Sequence, residues 1–289
     1  MSRQRRIGPR AGRQPLARGV AQTLGLLWLL VAAPSAADDP WRPLASGLDW
    51  AEFPAEAGPI IVVRADPAQW SLDVITRSAT GLEHNRTARA WAEAEGLTVA
   101  INAGMFQEDG TAHVGYLVDG AHVNSAHPNH YRSVAAFNPR TPDAPPFQLF
   151  DLDPGNPELE TIRARYGTVI QNLRLIQRPR QNRWSSDTNR TWSEAALGED
   201  TQGRILFLFA PDPRPMHRLN ETLLRLPLEL VAAQHLEGGP TAQLYIAIGD
   251  REWRGRPSGL LGSLKNGGPP PGLPNILGLR PRQDRAGDS

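Results

Sequence analysis

The sequence predicts an α+β fold: a single domain built on a mixed, largely antiparallel twisted sheet with a few flanking helices. Three observations lead there. Strand-like apolar runs outnumber stretches with helical spacing. Two pairs of runs are joined by short turns, at Asp119-Gly120 and at Glu199 to Gly203, which is how consecutive antiparallel strands connect. No change of composition divides residues 40–289, so the domain is expected over 59–280, with an N-terminal arm at 38–58 and a disordered tail at 281–289.

Taken in order, Pro40 to Ala57 contains Pro and Trp without a clear period and reads as an arm laid on the domain. Ile60 to Arg64 is β-branched, and Trp70 to Thr76 alternates, so the two are expected to pair as a hairpin across Asp66-Pro67. The spacing of Ala88, Trp91 and Ala92 predicts a helix within Leu82 to Glu95, ended by Gly96, a residue suited to the left-handed conformation. Leu97 to Asn102 reads as a buried strand before a glycine-rich turn. Val114 to Val118 and Ala121 to Asn124 flank Asp119-Gly120. Val134 to Asn138, Phe147 to Asp151 and Thr168 to Gln171 are further strands among Pro-rich loops. Trp192 to Leu197 and Arg204 to Phe209 form a second hairpin. The run ILFLF in its second strand is apolar on both faces and belongs in mid-sheet. Met216 to Leu226 has helical spacing. Val231 to Leu236 and Ala242 to Ile248 are strands around Gly238-Gly239-Pro240-Thr241. Ile276 to Leu279 is the last ordered piece, after a loop expected to be mobile at Gly267 to Pro271.

The chain has 289 residues and a formal charge of +1. That neutrality is a sum over unlike parts. Six arginines and no acid lie within residues 1–37, which leaves 25 basic and 30 acidic groups in the rest, a body of about −5. Such a body gives no reason to expect a nucleic-acid partner. The Arg-rich start leads into an apolar run, Gly19 to Ala33, then Pro34-Ser35-Ala36-Ala37. This is the pattern of a signal peptide cut before Asp38. The run is shorter than the ~20 residues that span a bilayer, so the mature protein is expected to be exported, periplasmic or secreted, without stable membrane insertion. There is no Cys, hence no disulfide, thiolate metal site or Cys nucleophile.

Signatures for nucleotide loops, dinucleotide folds, zinc proteases and α/β-hydrolases are absent. His113, His122, His127 and His130 fall close together, but their spacing puts no two imidazoles on one face. No metal site and no cofactor is expected. Four segments place polar residues or glycines at the ends of apolar strands. They are AINAGMFQEDG from Ala100, VIQNLRLI from Val169, TWSEAALGEDTQGRILFLF from Thr191, and HLEGGPTAQLYI from His235. In the second, Gln171, Asn172 and Arg174 sit in a strand otherwise too apolar to want them. In the fourth, Glu237 leaves a buried strand beside two glycines.

In this order, and with the closing LPNILGLR, the segments resemble the phosphodiester glycosidase family over roughly Ile60 to Arg280. The resemblance implies removal of a sugar joined through its anomeric carbon to a phosphodiester. Positive charge then develops on the ring, which a carboxylate can stabilise or trap. Glu237 matches the acidic position of the family's D/E-G-G motif and is the implied carboxylate. Asn102 matches the N-A-G motif, and with Glu237 makes up the expected catalytic pair. Gly104, Gln171, Asn172, Arg174, Gly238, Gly239 and Thr241 are the implied sugar or phosphate contacts. Relatives carry Asp at the position of Glu237, Gly-Gly-Ser where this chain has Gly239-Pro240-Thr241, and an arginine where this chain has Glu194. Arg174 is the candidate for supplying that missing positive charge. The expected activity is hydrolysis of the anomeric C–O bond of a sugar-1-phosphodiester in envelope or extracellular glycans, with an N-acetylglucosamine-type sugar as the candidate. A phosphoglycan-binding envelope protein without catalysis is the alternative.

Overall fold

The computed structural model describes residues 39–186, 190–249, 251–257 and 270–283. The expected signal peptide, the loop residues Gly267 to Pro269 and all but the first residues of the expected tail lie outside them.

Strands β1 (Arg42–Ala45), β2 (Leu48–Phe53), β3 (Ile60–Ala65) and β4 (Trp70–Thr76) open the fold, followed by the short helix α1 (Arg77–Thr80). Helix α2 (Ala88–Glu95) leads to β5 (Val99–Asn102). Then come β6 (Leu117–Asp119), β7 (His122–Ser125), β8 (Ser133–Pro139) and β9 (Phe147–Asp151). Helix α3 (Leu159–Arg165) precedes β10 (Tyr166–Asn172), β11 (Arg174–Gln177) and β12 (Gln181–Asn182). The hairpin β13 (Trp192–Asp200) and β14 (Ile205–Arg214) is followed by α4 (Met216–Arg225). Last are β15 (Leu230–Gly238), a single 3₁₀ turn at Gly239–Thr241, β16 (Leu244–Ile248), β17 (Arg251–Gly255) and β18 (Asn275–Pro281).

The strands form three sheets, and every ladder among the described residues is antiparallel. The expected single, largely antiparallel domain with few helices is found, but its strands form three antiparallel sheets where one mixed sheet was expected, and the domain is sheet-rich. The eight-stranded sheet runs β1-β2-β3-β14-β13-β15-β11-β12. The two five-stranded sheets run β7-β6-β10-β8-β9 and β17-β16-β5-β18-β4.

Residues from all three sheets meet in one core, among them Val63, Leu72, Ile101, Leu117, Ala135, Phe207, Leu236 and Leu277. The strand ILFLF shows why the eight-stranded sheet sits at the centre. Ile205, Phe207 and Phe209 enter that shared core, while Leu206 and Leu208 pack on the other face under Met216, Leu219 and Leu223 of α4. Both faces are thus covered, as the continuous apolar run requires.

Helix α2 is capped as its sequence demands. The Thr87 side chain accepts from the Ala90 amide, and Gly96 ends the helix at φ 66°. Trp91 packs on the sheet of β5 and donates its indole N–H to the Leu273 carbonyl at 2.8 Å.

Several expectations fail for reasons visible in the packing. The arm at Pro40 to Ala57 is the β1–β2 hairpin, and β2 pairs with β3 from Leu48↔Ala65 to Phe53↔Ile60. The β3–β4 hairpin does not form. β3 lies between β2 and β14, whereas β4 joins β18 in another sheet. β3 is buried along nearly its whole length and takes two neighbours in the central sheet, leaving none of its edges for β4. The residues VIQNLRLI are not one strand either. Gln171 and Asn172 end β10 in one sheet, and after Leu173 the chain enters the eight-stranded sheet, with Arg174 beginning β11. Helices α1 and α3 are too short to have carried a periodic signal.

Candidate functional site

Three of the four polar segments end strands that belong to the three different sheets: Asn102 ends β5, Asn172 ends β10, and Gly238 ends β15. The loop Gly238 to Thr241 is held from several sides. Asn102 donates its Nδ2 to the Thr241 carbonyl at 3.0 Å and accepts the Gln243 amide on Oδ1 at 2.7 Å. Ser193 donates to the Gly239 carbonyl at 2.9 Å, and Thr241 donates to the Gly238 carbonyl at 3.2 Å. Gly239 turns the chain at φ 64°, and the space beside it is open. Gly238 has no such room, because a Cβ there would stand 2.6 Å from the Trp192 ring.

Glu237 sits at the mouth of this loop. Ala195 pairs with Glu237 and Ala196 with His235, so Leu236 is an extra residue in β15, a β-bulge. Bulges re-aim side chains. Here the bulge places Leu236 in the shared core and breaks the alternation that would have put His235 and Glu237 on one face. The Glu237 Oε1 accepts the Gly238 amide at 3.0 Å. Burial pushes its carboxyl above the ordinary carboxylate range, against the Gly238 amide, the His235 charge and the Thr241 hydroxyl, which favour ionisation.

Beside it lies a pair that sequence reading did not assemble. His235 Nδ1 and Glu194 Oε1 are 2.6 Å apart, and both residues are buried. The Trp192 indole N–H donates to the other Glu194 oxygen at 3.1 Å. Burial raises the Glu194 carboxyl. Burial alone would lower the His235 imidazole, but the charge and hydrogen bond of Glu194 outweigh it, so its net shift is upward. Both shifts favour a shared proton in the pair. Glu194 was noted only as a departure from the family pattern, and His235 only as part of a segment. The one signal that could have found the pair is the polar Gln234-His235 step just before Glu237 in a strand that is apolar up to that point.

Two of the remaining expected site residues, Gly104 and Asn172, meet His113 in a second buried cluster. Gly104 is packed so that a Cβ would fall 2.1 Å from His113 Nε2 and 2.5 Å from Asn172 Oδ1. His113 Nδ1 lies 3.0 Å from the Gly115 amide and 3.1 Å from the Gly115 carbonyl, and its Nε2 is on the side of Asn172. Burial lowers His113 to about 4, so the ring is neutral. Asn172 donates to the Ala103 carbonyl at 3.0 Å.

Gln171 uses both ends of its amide on backbone. It accepts from Tyr116 and Asn129 amides and donates to the Asn129 and Tyr131 carbonyls. Backbone groups thus hold both ends of the Asn102 and Gln171 amides. Arg174 is likewise engaged by protein groups. Its guanidinium is bound by Asp151 at 3.1 Å and by Asp153, and the positive group facing Glu194 is His235. Of the four histidines close in sequence, His113 is in the interior and His122 bonds Ser78 at 2.9 Å.

Similarity to known proteins follows this architecture. The catalytic domain of zebrafish N-acetylglucosamine-1-phosphodiester α-N-acetylglucosaminidase, auto-inhibited by its pro-peptide, matches with a TM-score of 0.55 at 12% identity. The match covers 86% of this chain and 85% of that one. A hypothetical protein from Synechocystis matches with a TM-score of 0.56 at 14% identity, over 86% of this chain and 65% of that one. At these identities the likeness is one of fold. No curated protein matches in sequence. The family model of phosphodiester glycosidases matches residues 95–267, more than half of the chain and the span that carries the strand ends described above; the chain belongs to the phosphodiester glycosidase family.

Proposed function

We propose that the chain is an exported hydrolase that cleaves the anomeric C–O bond of a sugar-1-phosphodiester, with Glu237 as the carboxylate that meets the positive charge at C1. The observation that carries this reading is the place of Glu237: a largely buried carboxyl at the foot of a loop whose Gly239 borders open space. A carboxylate of restricted solvation acts strongly on charge that develops beside it. The leaving group is a phosphate monoester whose second pKa is about 6. It departs without strong general-acid help, so the reaction asks for one well-placed carboxylate more than for a pair. Asn102, Ser193 and the Trp192 ring against Gly238 hold the loop in which that carboxylate stands. The Arg-rich start followed by an apolar run supports export, and an N-terminus at Asp38 in the secreted protein would establish it.

The test is hydrolysis of an N-acetylglucosamine-1-phosphodiester carrying a chromogenic aglycone. Glu237→Gln is expected to abolish turnover while leaving the fold intact, and full activity in that variant would remove Glu237 from the mechanism. Hydrolysis in oxygen-18 water should place the label in the sugar; label in phosphate would mean P–O cleavage and overturn the reading.

A further inference from the structure

Glu194 is 1% exposed, in a strand that continues as Ala195-Ala196-Leu197-Gly198. A buried ion pair is a poor filling for such a place if stability alone is at stake. Desolvation offsets much of the attraction, and apolar residues of similar volume often serve as well or better. What a buried carboxylate adds is direction, because each of its oxygens holds a particular donor at a particular angle.

Glu194 holds one group on each oxygen. Ala196 stands opposite His235 in the ladder and is too short to meet its ring, so the imidazole reaches Glu194 on the diagonal, Nδ1 to Oε1 at 2.6 Å. Oε2 accepts the Trp192 indole N–H at 3.1 Å, which sets the rotation of that ring. The Trp184 ring, itself pinned by its indole N–H on the Arg174 carbonyl at 2.8 Å, stands edge-on to Trp192 with the ring centroids 6.2 Å apart.

The edge of the indole fixed in this way lies against Gly238. A Cβ added there would be 2.6 Å from Trp192 Cδ1 and 3.1 Å from Nε1, the atom that Glu194 holds. Gly238 pairs with Glu194 across the ladder, and its amide donates to Glu237 Oε1 at 3.0 Å. Trp192 and Ala196 pack with the residues under α4, whereas Ala195, which stands opposite Glu237, belongs to the shared core. The indole therefore backs the strand end from the α4 face while Glu237 stands on the other. A glycine backbone is free to turn unless something holds it, and on that face the indole is what does so.

We propose that His235, Glu194 and Trp192 are positioning residues for Glu237: the imidazole aims the Glu194 carboxyl, the carboxyl aims the indole, and the indole edge fixes the Gly238 amide that holds the Glu237 carboxyl. The proposal rests on the role of Glu237 and adds the residues that keep it in place. The test is amide hydrogen exchange in the full chain labelled with nitrogen-15 glycine, read by NMR at Gly238 and at Gly198 in the middle of β13. Trp192→Phe keeps a ring and loses the N–H, and Glu194→Met keeps the length and loses the acceptor. Each should speed exchange at Gly238 at least tenfold and change Gly198 less than twofold. His235→Leu should act in the same direction, and His235→Gln, which keeps a donor for the carboxyl, should restore slow exchange. Kinetics on the N-acetylglucosamine phosphodiester give a second readout. Glu237 acts on charge that develops only in the transition state, so Trp192→Phe should lower kcat at least tenfold with KM within twofold. Unchanged exchange at Gly238 in both Trp192→Phe and Glu194→Met, equal acceleration at Gly198, or full kcat in Trp192→Phe would each overturn the proposal. Exchange needs no turnover, so failure of the Glu237 reading leaves it measurable, and its own failure leaves the Glu237→Gln test as informative as before.

Discussion

Replacing Glu194 by Gln tests whether the buried pair with His235 shares a proton. Gln keeps the shape and can still accept from Trp192, but its NH2 group donates where the carboxylate accepted, so it bonds the imidazole only when the ring is neutral. Hydrogen bonds to charged groups contribute about 1.5–3 kcal/mol and neutral ones about 0.5–1.5 kcal/mol. Near pH 6 the substitution should therefore cost about 1–2 kcal/mol. Its pH dependence is the sharper readout. In the wild type both partners hold their protons more tightly folded than unfolded. The stability they contribute is then fully present at low pH. It falls as pH rises, first as Glu194 ionises above its ordinary range, then as His235 loses its proton above its own. In Glu194→Gln, His235 is left with burial as its largest influence, which lowers its affinity for a proton and reverses the slope. Urea unfolding of both proteins at about pH 5 and about pH 8.5 should show the wild-type advantage shrinking with pH. A difference that is constant, or that grows with pH, would refute the shared proton.

Asn102→Ala leaves the Thr241 carbonyl and the Gln243 amide unpaired in a buried place, and should cost about 2–4 kcal/mol in urea unfolding. A loss below about 1 kcal/mol would return Asn102 to a contact role. His113, lowered to about 4 by burial, should show no imidazole titration by NMR down to about pH 5, and a midpoint above about 6 would contradict its placement. Its depressed affinity also means a stability contribution of about 3 kcal/mol, present above its ordinary value near 6.5 and lost as pH falls through about 4. Acid unfolding should therefore begin in that window.

Local chemistry was legible wherever a few consecutive residues decide the outcome. Gly96 ended α2, Asp119-Gly120 turned β6 into β7, and the run ILFLF announced a central strand. Glu237 beside its glycines was read in the same way, from a short motif at a strand end. The bonding of Asn102 and Gln171 was not legible, because an amide side chain reads alike whether it meets a ligand or a backbone. Which of these it meets depends on residues far away, such as Thr241 and Gln243 for Asn102.

The sequence by itself determined the strand-rich class, the helix ends, the tight turns and the order of the family's motifs, since propensity, capping and alternation act within a few residues. Only the tertiary structure decided that β3 and β4 part into separate sheets, that Arg174 is spent on Asp151 and Asp153, and that Leu236 bulges to turn Glu237. It alone brought Glu194 to His235 across 41 residues. A strand's edges accept any partner's backbone, so pairing is settled by which faces must be buried together, and that is a property of the whole chain.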